Sequence, residues 1–157
     1  MNIKSKLLQY TKELVGLVVF ITIFSNALSL YKSSSLNKLP LPSIIKMQKN
    51  KPILIHFWAT WCPICKTEID NIQRLSKQYQ VVTIVVKSGT DNDIQQYLNK
   101  NQLDFKVIND ADANLAQQFN INAYPTTIIY NKDREIVFSD VGYTSTLGLY
   151  LRMWWAS

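Results

Sequence analysis

Pro52-Ile-Leu-Ile-His-Phe-Trp-Ala-Thr-Trp-Cys-Pro-Ile-Cys-Lys66 is the stretch on which the fold turns. Residues 52–59 form a nearly continuous apolar run of strand-forming side chains, the pattern of a strand covered on both faces. The periodicity then changes. From about Pro63 the apolar residues Ile69, Ile72, Leu75 and Tyr79 recur at three- and four-residue spacing, which predicts a helix. Cys62 therefore falls where a strand hands over to a helix, facing the free N–H groups and positive dipole end of that helix. Such a position favours thiolate over thiol and lowers the pKa of the first cysteine. Pro63 is tolerated in the first turn, where its missing N–H has no intrahelical partner. Cys65, one turn further in, shares the face of Cys62 and can attack a mixed disulfide formed there.

The same pattern continues outward. Val81–Val86 reads as a second buried strand, and Asp91 to Asn101 as a helix with Ile94, Tyr97 and Leu98 inward. Phe105–Ile108 is a strand, and Asp112 to Phe119 a helix whose acidic start suits its positive end. Thr126–Tyr130 and Glu135–Phe138 flank the hairpin turn Asn131–Arg134. A last helix begins near Thr144 as N-cap and carries Leu147, Leu151 and Trp154 or Trp155 as packing residues. The expectation is an α/β fold, a mixed sheet with helices on both faces.

On the N-terminal side, Ser33 to Asn50 is a polar connector kept extended near Pro40 and Pro42. Before it, Leu14 to Leu30 is an apolar block of 17 residues, preceded by Lys4, Lys6 and Lys12 and followed by Lys32. Two readings stand. One is a membrane anchor, at the short end of what spans a hydrocarbon core. The other is a signal peptide cleaved at the small-x-small site Ser25-Asn26-Ala27. The return of apolar character at Leu28 and Leu30 favours the anchor. The resulting division is a cytoplasmic tail 1–13, an anchor 14–31, a linker 32–50 and a domain 51–157.

Composition narrows the function classes. The 157 residues are 47% hydrophobic and 18% charged, with four Gly and five Pro, which excludes a collagen-like or disordered chain. The net charge of +6 arises from residues 1–50, with seven Lys against Glu13, while residues 51–157 hold ten basic and ten acidic side chains. A phosphate-tracking basic groove, and hence a nucleic-acid partner, is not expected. Cys62 and Cys65 are the only cysteines, so neither a multi-disulfide scaffold nor a four-cysteine zinc module fits. A structural staple closing so short a loop removes little chain entropy, and a zinc site lacks ligands because His56 is the only histidine. Dithiol exchange is the reading that remains strongest.

Trp61-Cys-Pro-Ile-Cys65 after a core strand resembles the signature of the thioredoxin superfamily. Tyr124-Pro125-Thr126, 60 residues after Cys65, resembles its second landmark. The resemblance implies a cis bond before Pro125, packed beside the cysteines, where nearby backbone pairs with substrate; an ordinary trans turn is the alternative. The longer segment between Val86 and Tyr124, with its extra strand-helix unit, resembles the membrane-anchored TlpA/ResA/DsbE-type branch. Lys87-Ser-Gly89, Val107-Ile-Asn-Asp110, Val141-Gly-Tyr-Thr-Ser145, Leu149-x-Leu-Arg152 and Trp154 are similar to the suppressor-of-copper-sensitivity D group of that branch.

The resemblance implies a thioredoxin fold with a TlpA-type insertion, preceded by a transmembrane helix at the cytoplasmic membrane with the domain outside. It implies a thiol–disulfide oxidoreductase, more reducing than oxidising. Cys62 is then the nucleophile and Cys65 resolves, forming a redox-active Cys62–Cys65 disulfide. No cofactor is needed; protein thiols and disulfides are the substrates, and a membrane protein of the DsbD type is the electron donor. A copper(I)-handling or thiol-binding module using the same pair is the alternative.

Around the cysteines, Glu68 matches the glutamate of TlpA/ResA-type sites and could exchange protons with the Cys65 thiol; its alternative is an exposed acid at the helix start. His56 departs from the pattern, standing six before Cys62 where thioredoxins carry a buried acid. It is either a proton acceptor or thiolate stabiliser, or a core histidine satisfied by backbone. Trp58 and Trp61 match aromatic positions that shape and cover the site. Lys87 ends a strand near it, with a solvated side chain as the default.

Overall fold

The computed structural model describes residues 9–17, 19–20, 24, 41–46 and 48–157. Its elements are β1 (Ile53–Trp58), α1 (Pro63–Ser76), β2 (Gln80–Val86), α2 (Asp91–Lys100), β3 (Lys106–Asp110), α3 (Asn114–Gln118), β4 (Thr126–Tyr130), β5 (Ile136–Val141) and α4 (Thr146–Trp155). They follow the expected order closely. The strands form one sheet in the order β3-β2-β1-β4-β5. β1 pairs parallel with β2 and antiparallel with β4, β2 pairs parallel with β3, and β4 pairs antiparallel with β5. The sheet is therefore mixed, as the alternation of strands and helices followed by a hairpin requires.

All six residues of β1 are buried, because this central strand is covered on both faces. Alternation along it divides the core. Leu54 and Trp58 join Ile72, Leu75, Ile94, Leu98, Leu149 and Met153 under α1, α2 and α4. Ile53, Ile55 and Phe57 join Ala116, Phe119 and Ile45 under α3 and the segment before β1. The insertion between β2 and β4 thus supplies an edge strand, β3, and a short helix on the second face.

Two expectations about α4 need correction. Its N-cap is Ser145, whose hydroxyl accepts from the Gly148 N–H at 3.2 Å, not Thr144. Its buried residues are Leu149 and Met153, while Leu147, Leu151, Trp154 and Trp155 are exposed. The helix is apolar around most of its circumference, so two stripes satisfy helical spacing. The sheet takes the one whose side chains fit beside α1.

The expected tail 1–13, anchor 14–31 and linker 32–50 lie largely outside the described residues. Residues 9–17 are helical, and no helix among the described residues is long and apolar enough to cross a membrane.

Candidate active site

Cys62 is the N-cap of α1, in extended conformation with Pro63 following, as the strand-to-helix junction requires. The Cys65 N–H donates to Cys62 Sγ at 3.2 Å, one of the free donors of a helix start aimed at sulfur. Cys62 and Cys65 are joined as a disulfide. Cys65 is fully buried and Cys62 is 5% exposed, so the outer sulfur alone meets solvent. When the disulfide opens, the N–H and the helix dipole stabilise negative charge on Cys62.

The Tyr124-Pro125 peptide is cis, as the resemblance implied, and Pro125 is buried. The Tyr124 carbonyl oxygen lies 3.7 Å from Cys62 Sγ, so the second landmark meets the first. Trp61 is 56% exposed; its ring stands edge-on to Tyr124 with centroids 5.9 Å apart. Its indole N–H donates to the Lys87 carbonyl at 3.0 Å. Lys87 therefore meets the site through its backbone, with its side chain exposed. Trp58 does not cover the site. It is buried beneath it, packed on Tyr97 and Phe105. Trp61, Ile64, Val141 and Tyr143 leave exposed apolar surface at this end of the sheet.

Glu68 is buried, not the exposed acid of the alternative reading, because α1 turns this side against the loop that precedes α4. Its Oε1 accepts from the Thr144 N–H at 3.0 Å, while Oε2 is buried without a partner among the described residues. Burial raises its pKa to about 7; the Asp140 carboxylate adds to the shift, and the Thr144 hydrogen bond and Arg152 oppose it. Asp140 itself is paired with Arg152 at 3.1 Å.

His56 is fully buried on the sheet face beneath α1. Its register partners are Thr83 on β2 and Thr127 on β4, and Thr127 faces Asp140 on β5. A polar row thus crosses four strands under the helix that carries the cysteines. His56 Nδ1 lies 2.9 Å from Thr127 Oγ1, and Nε2 has no partner among the described residues. Burial lowers the pKa of the ring to about 3, so it is neutral in ordinary conditions. The partner of the core-histidine alternative is thus a threonine hydroxyl and not a backbone carbonyl.

Three residues carry structure that the sequence reading did not single out. Asn71 donates to the Thr144 carbonyl at 3.0 Å and to Tyr143 Oη at 3.2 Å, and accepts from Thr146 Oγ1 at 2.6 Å, lashing α1 to the loop that holds Glu68. Thr127 became visible only with the β1–β4 register. Asp110 accepts from the Leu115 and Ala116 N–H groups at 3.0 and 2.8 Å, capping α3 from outside the helix. The sequence offers Asp110 and Asp112 alike ahead of this helix, and only the fold shows which of them holds its N–H groups.

This geometry fits the comparisons with known proteins. The chain is 36% identical over 115 residues to a thioredoxin-like protein of Haemophilus influenzae, spanning 73% of this chain and 68% of that one. It is 27% identical over 101 residues to sporulation thiol-disulfide oxidoreductase A of Bacillus subtilis, spanning 60% of this chain and 61% of that one. The crystal structure of StoA from Bacillus subtilis superposes with a TM-score of 0.59 at 24% identity, over 65% of this chain and 81% of that one, and shows the fold. The model of the AhpC/TSA family matches residues 33–139. With its cysteine pair on a helix start beside a cis-proline loop, the chain belongs to the AhpC/TSA family and shares the thioredoxin fold of its thiol–disulfide oxidoreductase relatives.

Proposed function

We propose that this thiol–disulfide oxidoreductase is anchored in a bacterial cytoplasmic membrane by residues 14–31 and reduces selected disulfides of proteins outside it. The observation that carries the chemistry is Cys62 Sγ, held between the Cys65 N–H and the Tyr124 carbonyl, slightly open to solvent with Cys65 sealed behind it. In the reduced protein the Cys62 thiolate attacks one sulfur of a substrate disulfide, forming a mixed disulfide and releasing the other sulfur as thiolate. Cys65 then loses its proton and attacks Cys62 Sγ. The Cys62–Cys65 disulfide forms, the second substrate thiolate leaves, and two electrons have passed to the substrate.

Glu68 suits the proton step better than His56. A carboxylate with a pKa near 7 exchanges protons at neutral pH, whereas a ring that protonates near pH 3 is a poor acceptor for a thiol proton. His56 is read here as the neutral member of the polar row, holding Thr127 beneath α1. Trp61, Pro63, Tyr124 and Pro125 form the substrate-side rim, where exposed apolar surface suits an extended, apolar segment of a substrate protein.

The narrower assignment to the suppressor-of-copper-sensitivity D group draws support from where its strings fall. Asn109 Nδ2 donates to the Gly89 carbonyl at 3.1 Å, and the 141–145 string holds Glu68 through Thr144. A membrane electron donor of the DsbD type would restore the dithiol after each turnover. The copper(I) reading has two sulfur donors, and among the described residues no cluster of three or more His, Cys, Asp or Glu side chains accompanies them.

Equilibration of the full chain in a glutathione redox series tests the function. A two-electron transition, with Cys65→Ser accumulating mixed disulfides and Cys62→Ser forming none, is the expected result. Faster alkylation of Cys65 than of Cys62 in the reduced protein would reverse the two roles. Retention of the chain in membranes through carbonate extraction tests the anchor; a mature N-terminus at Leu28 in the soluble fraction would replace it with a signal peptide.

A further inference from the structure

The exposed residues of α4 form one stripe. Leu147, Leu151, Trp154 and Trp155 stand at i, i+4, i+7 and i+8, with Trp154 69% and Trp155 74% exposed. On this helix the spacing places them on one side, opposite Leu149 and Met153. Two adjacent tryptophans left in water at a helix end need a partner with an apolar interior and a polar border.

Strand and helix directions show which end of the domain they occupy. β1, β2 and β3 run parallel from Ile53, Gln80 and Lys106 toward Trp58, Val86 and Asp110. α1, α2 and α4 run back, so Ser76, Lys100 and Trp155 lie at the end where the strands begin. The chain before β1 is strapped to this same end: the Gln48 N–H donates to Gln80 Oε1 at 2.8 Å, and Gln80 Nε2 donates to the Lys46 carbonyl at 2.6 Å. Asn50, Lys51, Tyr79 and Ser157 line one cleft there, joining the start of the domain to the end of α4.

Charge is distributed to match. Lys46, Lys49, Lys51, Lys77, Lys100 and Lys106 are exposed at this pole; Asp104 lies among them, and the turn beyond β4 adds Lys132 and Arg134 against Asp133 and Glu135. At the opposite pole, around Cys62, Asp91, Asp93, Asp110 and Asp112 outnumber Lys66 and Lys87.

The geometry points to the Trp154–Trp155 pole as a lipid-docking surface, which seats the domain on the bilayer with the dithiol facing away from it. The indole rings of Trp154 and Trp155 enter the interface, with Leu151 one turn above them, while lysines meet anionic headgroups. α1 has 14 residues and so spans about 21 Å, which sets the height of Cys62 above the docked pole. The inference rests on the anchored reading above. The ten residue steps from Tyr31 to Leu41 reach at most about 35 Å and keep the pole within range of the surface.

The test uses the full chain in vesicles of phosphatidylglycerol and phosphatidylcholine, with lipids brominated near the headgroup as quenchers of tryptophan fluorescence. The expected result is quenching that disappears in Trp154→Ser/Trp155→Ser, persists in Trp61→Phe, and falls by half or more when Lys49, Lys51 and Lys77 are changed to Glu. Emission from buried Trp58 reports that each variant is folded. Quenching that survives in Trp154→Ser/Trp155→Ser, or is lost in Trp61→Phe, overturns the inference. Unquenched Trp154 and Trp155 overturn it too, including where the chain forms a dimer that covers the stripe. Extraction by carbonate, applied after the fluorescence reading, sinks the anchor and leaves the docking result standing.

Discussion

Glu68→Gln separates a buried titrating acid from a merely buried one. The glutamine keeps an oxygen for the Thr144 N–H and fills nearly the same volume, so the change removes the titration and little else. Burial moves the folded-state pKa from 4.5 to about 7. The unfolded chain gives up this proton near pH 4.5 and the folded chain keeps it. The carboxyl's contribution to stability is therefore full below about pH 4.5 and is lost as pH rises through 7. A shift of roughly 2.5 units, at about 1.4 kcal/mol per unit, amounts to ~3 kcal/mol.

The assay is guanidinium unfolding of the oxidised protein, with no thiol free to titrate, at half-unit steps from pH 4 to 8.5. His56 works in the opposite direction. Its pKa is lowered from 6.5 to about 3, so its contribution is present above pH 6.5 and lost as pH falls toward 3. In the wild type the two slopes oppose each other between pH 4.5 and 6.5, and stability declines from there to beyond pH 7. In Glu68→Gln the decline is gone and stability rises with pH to a plateau. Parallel stability curves for wild type and Glu68→Gln between pH 5 and 8 would refute the reasoning, because a carboxyl with an ordinary pKa adds no such slope.

His56→Asn keeps a hydrogen-bonding group for Thr127 and removes the acid-side slope, worth on the order of 5 kcal/mol between pH 6.5 and 3; the same unfolding series reads it. The reduction potential should be unchanged in that variant, and a slowed resolution step measured by stopped flow would instead make the ring a proton carrier. Asn71→Ala leaves the Thr144 carbonyl and Thr146 hydroxyl short of a partner, costing about 1–3 kcal/mol. Thermal unfolding checks the cost, and titration of Glu68 by NMR should show its pKa falling toward the ordinary range as the loop loosens.

The sheet and the dithiol were legible because each rests on a local signal. A nearly continuous apolar run of strand-forming residues reads as a covered strand, and a Cys-Pro-x-Cys at its end suits a helix start. What was not legible depends on register or on competition between equivalent faces. His56 finds Thr127 through β1–β4 pairing, 71 residues away in sequence. Glu68 could be a site carboxylate or an exposed helix-start acid, because nothing within α1 says that the loop at Thr144 folds over it. In α4 the large residues Leu147, Leu151, Trp154 and Trp155 won on hydropathy, yet the space beside α1 admits Leu149 and Met153. Helical spacing names a face but cannot choose between two apolar ones.

The β3–α3 insertion does more than widen the sheet. The Asp110 carboxylate holds the start of α3, its carbonyl takes the Lys87 N–H at 3.2 Å, and the carbonyl of Lys87 takes the indole of Trp61. A relay of backbone and side-chain hydrogen bonds thus runs from the inserted helix to the gatepost of the dithiol without passing through either cysteine. Substitutions that shift Asp110 would therefore move the Lys87 carbonyl and re-aim the Trp61 ring, which stands against Tyr124 at the rim of the dithiol.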